Sequence, residues 1–432
     1  MNQDPRTILD TEAMGRLQVI VVGVCVLLTA LDGFDVLSIS FAAPGIADEW
    51  NISRATLGIV LSMELIGMSA GSIVLGSVAD SFGRRPIIFI CLTIMATGMI
   101  GASTANSIVA LSLFRFFTGI GIGGMLASTN AMVAECANAR HRSLAVTLMA
   151  AGYPLGVIIG GSISSELLIH FDWRAIFVFG ACVTAIFIPV VWIWLPESIG
   201  FLIKQQPGGA LMRVNATLRR MGHRTVAALP EKEVPGASRA SVVQLFSPRL
   251  RRTTALLTLA YFAHIMTFYF MLKWIPKIVV DMGFEPSKAG GVLVWANVGG
   301  MCGAVLLGLL ARRFGVRTLV ITSLVLAFVL VSIFGAVPAD LGSLALIAAV
   351  AGFFTNAAVV GFYALFVEAF PTEVRAGGTG FVIGMGRGGA ALGPVIAGLL
   401  FASGQSLLVV AIMMGAGALI AATAIALLPG NE

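Results

Sequence analysis

Two aspartates, Asp32 and Asp35, stand three residues apart in "LTALDGFDVLSI", inside an apolar run that extends from about Leu17 to Pro44. That spacing sets them on one face of a helix, and two neighbouring carboxylates in apolar surroundings cannot both ionise cheaply. The couple is therefore a candidate proton carrier. Glu64, Arg115, His264 and Arg387 also lie well inside apolar runs. Arg387, in "GMGRGGAAL", is flanked by glycines that open space around a guanidinium, whose planar fork suits bidentate capture of a carboxylate. Arg115 is the second candidate for that role, or else an internal partner of Glu64 or an aspartate. Counted together, the three acids face two arginines, leaving one negative charge for a proton or an incoming cation to balance. His264 in "YFAHIMTFYF" is either a proton relay or a packed, hydrogen-bonded ring.

The elements that carry these groups follow from composition. Of 432 residues, 58% are hydrophobic and 11% charged, against roughly a quarter charged in soluble domains. Twelve apolar runs start near residues 17, 55, 86, 107, 143, 174, 254, 288, 318, 341, 376 and 405, each long enough for a helix to cross a hydrocarbon core of about 30 Å. Continuous apolarity excludes a β-barrel, whose strands alternate. The first run lacks a cleavage pattern and is expected to stay as the first span. At 1.5 Å per residue, Glu64, Arg115 and Arg387 lie roughly 12 to 16 Å from the membrane surface, with Asp32 and Asp35 in the middle to outer third. An ionisable group there is expensive, by about 2.5 to 3.5 kcal/mol, and so is a functional candidate. Phe268, Tyr269, Trp274, Trp295, Phe362 and Tyr363 can supply rings and hydroxyls to a flat ligand, or serve as belt and core. Asn130, Asn297 and Asn356 can bind ligand hydroxyls or bridge helices.

The formal charge of +6 reflects topology. With the N-terminus in the cytoplasm, the inner loops hold Arg6, Arg16, Arg84, Arg85, Arg140, Arg142, Arg312, Arg313, Arg317, Arg375 and ten basic residues of a central loop. The outer loops hold Arg54, Arg174, Lys277 and Lys288. This positive-inside asymmetry predicts cytoplasmic termini and needs no nucleic-acid partner. The polar stretch divides the chain into an N-terminal half (1–198), a central cytoplasmic loop (199–253) and a C-terminal half (254–432). Within it, "RVNATLRRMGHR" is either a surface helix on anionic lipid or a solvated linker with some helix. The halves are repeats. "GSVADSFGRR" (76–85) corresponds to "GLLARRFGVR" (308–317) at an offset of 232, and Glu135 and Arg142 to Glu368 and Arg375 at 233. Repeated halves place a transporter's site at mid-membrane. The five cysteines have no metal-ligand or disulfide spacing. "GIGIGG" lies mid-span without a strand before it or a Lys-Ser/Thr after it, and no catalytic constellation is present, so neither enzyme chemistry nor a metal or cofactor is expected.

"GSVADSFGRRP" resembles the loop signature of the major facilitator superfamily, and "RFFTGIGIGG" (115–124) its fourth-helix motif. "DGFD", "TNAMVAECANARHR" (129–142) and "FPTEVRAGGTGFVIGMGRGGAALGP" (370–394) are similar to the aromatic acid:proton symporters of that superfamily. The resemblance implies an all-α integral membrane fold of twelve transmembrane helices in two pseudo-symmetric six-helix bundles, acting as a monomer in the cell's inner membrane. It further implies proton-coupled uptake of a benzoate-like or hydroxybenzoate-like acid by alternating access. Proton coupling would rest on Asp32, Asp35, Glu64 and His264, and substrate binding on Arg387, Arg115, Asn130, Trp295, Asn297, Asn356, Tyr363 and Phe268. Asp80, Arg84, Arg85, Glu135 and Arg142 resemble the superfamily's cytoplasmic latch, with charge pairs and a carboxylate at a helix N-terminus. Ser81 stands where the motif has a basic residue. Aliphatic-acid symport remains an alternative. So do drug antiport, which "GYPLGVIIGG" (152–161) partly matches, and a sensor that binds without transporting.

Overall fold

The structure is a computed structural model that describes residues 4–231, 244–311, 313–371 and 374–429. The described residues form fifteen helices, twelve of them long and apolar enough to cross a membrane. The spans are α2 (Arg16–Glu49), α3 (Arg54–Phe82), α4 (Arg84–Ser103), α5 (Ile108–Cys136), α6 (Arg142–His170), α7 (Arg174–Trp194), α10 (Arg251–Asp281), α11 (Pro286–Leu310), α12 (Val316–Phe334), α13 (Leu341–Ala369), α14 (Arg375–Ala402) and α15 (Leu407–Ala426). Three further helices are short: α1 (Pro5–Thr11), α8 (Ile199–Gln205) and α9 (Ala210–Met221).

Side-chain caps start several of these helices. Ser107 accepts from the Ala110 amide at 3.2 Å and Asp340 from the Ser343 amide at 2.8 Å, satisfying donors that the first turn leaves open. The first span outruns the expected end near Pro44. It continues through the proline to Glu49 and stops where Asn51 takes φ +46°, a left-handed turn that asparagine tolerates. In a packed membrane bundle neighbours compensate for the bond a proline loses.

The repeat is written into the packing. Gly67 and Gly71 of α3 lie against the Phe116 and Ile120 carbonyls of α5, where an added Cβ would stand 2.1 and 2.0 Å from oxygen. Gly299 and Gly303 of α11 lie against the Ala349 and Phe353 carbonyls of α13, at 1.8 and 2.1 Å for the same atom. Every one of these residues corresponds to its counterpart at the offsets 232 and 233 found in the loops. Gly156 against Ala30 and Gly389 against Phe262 repeat the relation between α6 and α2 and between α14 and α10. Without a hydrophobic drive in lipid, such backbone approaches are what bind one span to the next. The same correspondence sets Asp32 of α2 and His264 of α10 at equivalent positions.

Contacts group the chain into two compact units: Met1–Val36, Gly67–Gly156 and Phe177–Pro235, and Leu37–Ile66, Val157–Ile176 and Gly236–Glu432. This division differs from the one at 1–198 and 254–432, because the arginine-poor ends of α2, α3 and α6 pack on second-half helices. In the first unit, α9 buries Val214, Thr217, Leu218 and Met221 and exposes Arg219 and Arg220. Of the two readings of this stretch, a helix on lipid or a solvated linker with some helix, the structure has a helix whose apolar face is buried on the protein.

Candidate functional site

In the first unit, Asp32, Asp35 and Arg115 are all fully enclosed. Arg115 donates Nη2–H to the Asp35 carbonyl at 2.7 Å and Nη1–H to Met99 Sδ at 3.0 Å, with its guanidinium 5.3 Å from the centre of the Phe177 ring. Gly180 of α7 leaves the room these groups need: a Cβ there would sit 2.3 Å from the Met99 methyl and 3.4 Å from Asp35 Oδ1. The two aspartates share a helix face, as their spacing requires. Arg115 is thus buried and bonded to neighbouring helices, with a backbone carbonyl of α2 as an oxygen partner.

In the second unit, aromatic rings gather against the stretch of α14 that carries Arg387. Tyr261 of α10 and Tyr363 of α13 bring their hydroxyls to 3.3 Å, and the Tyr261 ring meets Phe362 and Phe366 edge-on at 5.4 and 5.5 Å between centroids. Gly386 and Gly388, either side of Arg387 on α14, accept the rings of Tyr261 and Phe262; an added Cβ would lie 2.3 and 3.1 Å from them. The glycines flanking Arg387 thus make room for aromatic neighbours. Tyr261 and Phe366 were not among the expected site residues. Their signal is the repeat of aromatics at i, i+4 in α13 (Phe362, Phe366) facing a tyrosine one turn before His264. His264 stacks on Phe362 at 5.9 Å and donates Nε2–H to the Thr355 carbonyl at 2.9 Å, the arrangement of a packed ring. Its buried Nδ1 has no hydrogen-bond partner among the described residues.

The remaining candidates scatter. Asn297 is buried and bonds within its own helix to the Leu293 carbonyl at 2.9 Å, while Asn356 bridges α13 to the Gly300 carbonyl of α11 at 2.8 Å. Asn130 and Trp295 are exposed, Trp295 by 55%, and half-buried Phe268 stands edge-on to Tyr269. These residues do not join the cluster around Arg387. Trp274 is buried elsewhere, donating Nε1–H to the Pro394 carbonyl at 3.1 Å.

The charge count of two intramembrane arginines against three acids is incomplete. Lys273 of α10, in "FMLKWIP", is wholly buried and meets the equally buried Glu64 of α3 at 3.4 Å. Three cations now match three acids, and no proton is needed to balance the resting set. The signal was available: Lys273 lies eight residues before the end of its span, too deep for the loops.

At the basic ends of the first-unit spans, Arg84 pairs with Asp80 at 2.7 Å and with Glu135 at 3.5 Å. Arg85 donates to the Trp192 carbonyl at 2.7 Å and lies over the Trp192 and Phe89 rings. Arg142 turns instead to Asp10 of α1, an acid outside the expected latch. The carboxylate at a helix N-terminus is Glu197, also unforeseen: its Oε1 accepts from the Arg84, Arg85 and Ser198 amides at 2.8, 3.3 and 2.9 Å. Gly83, at φ +106°, is required there because a Cβ would lie 2.4 Å from Glu197 Oε2. Burial pushes the Glu197 carboxyl above the ordinary glutamate range, against the opposing pull of these amides and of Arg85.

A doubled six-helix chain with acids and bases enclosed at mid-span has the build of a secondary transporter. The Major Facilitator Superfamily model matches residues 25–312 and 257–432. The chain is 31% identical to a 4-hydroxybenzoate transporter, PcaK, of Acinetobacter baylyi, over 98% of this chain and 93% of that one. It is 29% identical to a gallate transporter of Pseudomonas putida, over 98% and 94%. Among solved structures, the xylose transporter XylE of E. coli in a partially occluded inward-open conformation superposes with a TM-score of 0.73 at 18% identity, covering 96% of this chain and 98% of that one. The chain belongs to the major facilitator superfamily. It is a multi-pass membrane transporter and not an enzyme.

Proposed function

We propose that the protein imports an aromatic carboxylate of the hydroxybenzoate class together with protons, by alternating access, with the proton gradient as its energy source and no cofactor. The observation that carries this reading is the cluster of Tyr261, Tyr363, Phe362 and Phe366, with Tyr261 packed on Gly386 next to Arg387. Rings that meet edge to face accept a flat aromatic ligand, and a guanidinium beside them takes its carboxylate. The unpartnered His264 Nδ1 supplies an acceptor for a ring hydroxyl. Asp32 and Asp35 are the proposed proton carrier, with Arg115 bonded to the Asp35 backbone carbonyl, and the Asp80–Arg84–Glu135 group with Glu197 is the proposed latch. The charge asymmetry of the loops supports cytoplasmic termini in an inner membrane, and a monomer suffices for such a site.

Energetics favour coupling. An anion entering a cell that is negative inside works against about 2.3 kcal/mol per charge per 100 mV; one proton cancels this and a second drives accumulation. The intramembrane set, neutral once Lys273 is counted, also gains a net negative charge when a carboxylate enters, and a proton restores balance. The test is accumulation of labelled 4-hydroxybenzoate by proteoliposomes under an inward proton gradient. Arg387→Ala is expected to weaken binding of the acid by about tenfold or more, as measured by calorimetry on purified protein. Wild-type affinity in that variant would remove Arg387 as the anion ligand, and a wild type that ignores the acid at every gradient would end the reading.

A further inference from the structure

The Glu64–Lys273 pair sits beneath a seal built from the same helices. Arg54, ten residues before Glu64 on α3, pairs with Asp281, eight residues after Lys273 on α10, at 2.9 Å, and Lys277 bonds the same aspartate. Arg54 also lies over the Phe401 ring of α14 at 5.4 Å, and Trp274 packs on Phe401 at 5.0 Å. Backbones touch here as well: a Cβ on Gly58 would stand 2.5 Å from the Pro394 carbonyl, and one on Gly398 the same distance from the Arg54 carbonyl. In the orientation proposed above this is the outer end. First-half helix α3 is thus closed onto second-half helices α10 and α14 by a shallow, exposed ion pair and, about 12 to 15 Å deeper, by a fully enclosed one.

An enclosed ammonium and an enclosed carboxylate can separate only if each finds another neutralising partner. The cargo offers both. A proton neutralises Glu64, and a carboxylate anion neutralises Lys273. We propose that Glu64–Lys273 is an exchangeable bolt on the outer gate: it opens when an external proton takes Glu64 and the substrate carboxylate takes Lys273, and its re-formation releases the two together. Charge balances, since an ion pair plus a proton plus an anion becomes a neutral acid plus a new ion pair. Anion and proton must then travel as one. Lys273 lies about 10 to 16 Å nearer the outside than Arg387, counted along α14 from Pro394 and along α10 from Phe262, so it would meet the acid first and hand it inward. Lys273 is set against Glu64 at 3.4 Å. The next charges on α3 and α10 are Arg54, Lys277 and Asp281, and Arg387 is the next on α14.

This rests on the uptake reading above, and the wild type tests that reading first. If proteoliposomes carrying wild-type protein fail to accumulate labelled 4-hydroxybenzoate under an inward proton gradient, both fall. If they accumulate it, the bolt stands or falls on the variants. In the wild type the half-saturating external acid concentration should rise as the external side is made alkaline. Glu64→Gln fixes the neutral form, so this dependence should vanish. The double variant Glu64→Gln/Lys273→Gln leaves no lone charge in the gate and should likewise be indifferent to external pH, which covers the case in which the single variant fails to fold. Lys273→Gln should raise the half-saturating concentration roughly tenfold or more while Lys273→Arg restores most of it. Wild-type pH dependence in the double variant, or wild-type half-saturation in folded Lys273→Gln, would overturn the proposal.

Discussion

Replacing Lys273 by Met removes the partner of a carboxylate that has no exposed surface and lies 3.4 Å from the lost ammonium. At an effective dielectric constant of about 20, that interaction is worth about 5 kcal/mol. Glu64→Gln leaves the opposite problem, an enclosed ammonium deprived of its carboxylate, and breaking such a pair from either side costs about 3 to 5 kcal/mol. The double variant Glu64→Gln/Lys273→Met should lie within about 1 kcal/mol of wild type, since a neutral pair of similar volume replaces the charged one. Unfolding by sodium dodecyl sulfate in mixed micelles measures all three. A loss below about 1 kcal/mol for Lys273→Met, or a double variant as unstable as the single ones, would show that the pair is not held in a low-dielectric site.

Two further outcomes follow from the packing and the latch. Gly71→Ala and its repeat counterpart Gly303→Ala each drive a Cβ to about 2 Å from a carbonyl oxygen and should each cost roughly 1 to 3 kcal/mol in the same unfolding assay, whereas Gly384→Ala, with open space around it, should be neutral or slightly stabilising; equal effects at all three sites would contradict the close approach of these helices. Glu197, whose carboxyl is raised by burial, contributes stability that is complete below the ordinary value of 4.5 and is lost as pH rises through its higher folded value, so Glu197→Gln, which keeps an acceptor for the Arg84 and Arg85 amides, should flatten that part of the stability–pH curve; an unaltered curve would show that this carboxyl does not titrate there.

The twelve spans and their repeat were legible in the sequence, because hydrocarbon demands long apolar helices. The i, i+3 spacing of Asp32 and Asp35 likewise decided that they share a face, since helical geometry is local. Partners were not legible. Whether Arg115 is available to a solute depends on Met99, Phe177 and the Asp35 carbonyl, which other parts of the chain deliver. Lys273 counts among loop charges or gate charges according to which helix faces it, and Glu197 became the cap of α4 only when a distant turn folded back. Arg387 advertised itself by its glycines, but the rings that fill the space beside them come from α10 and α13. Composition fixes how deep a residue lies and what it costs to be there; only packing between helices far apart in sequence decides what that residue meets.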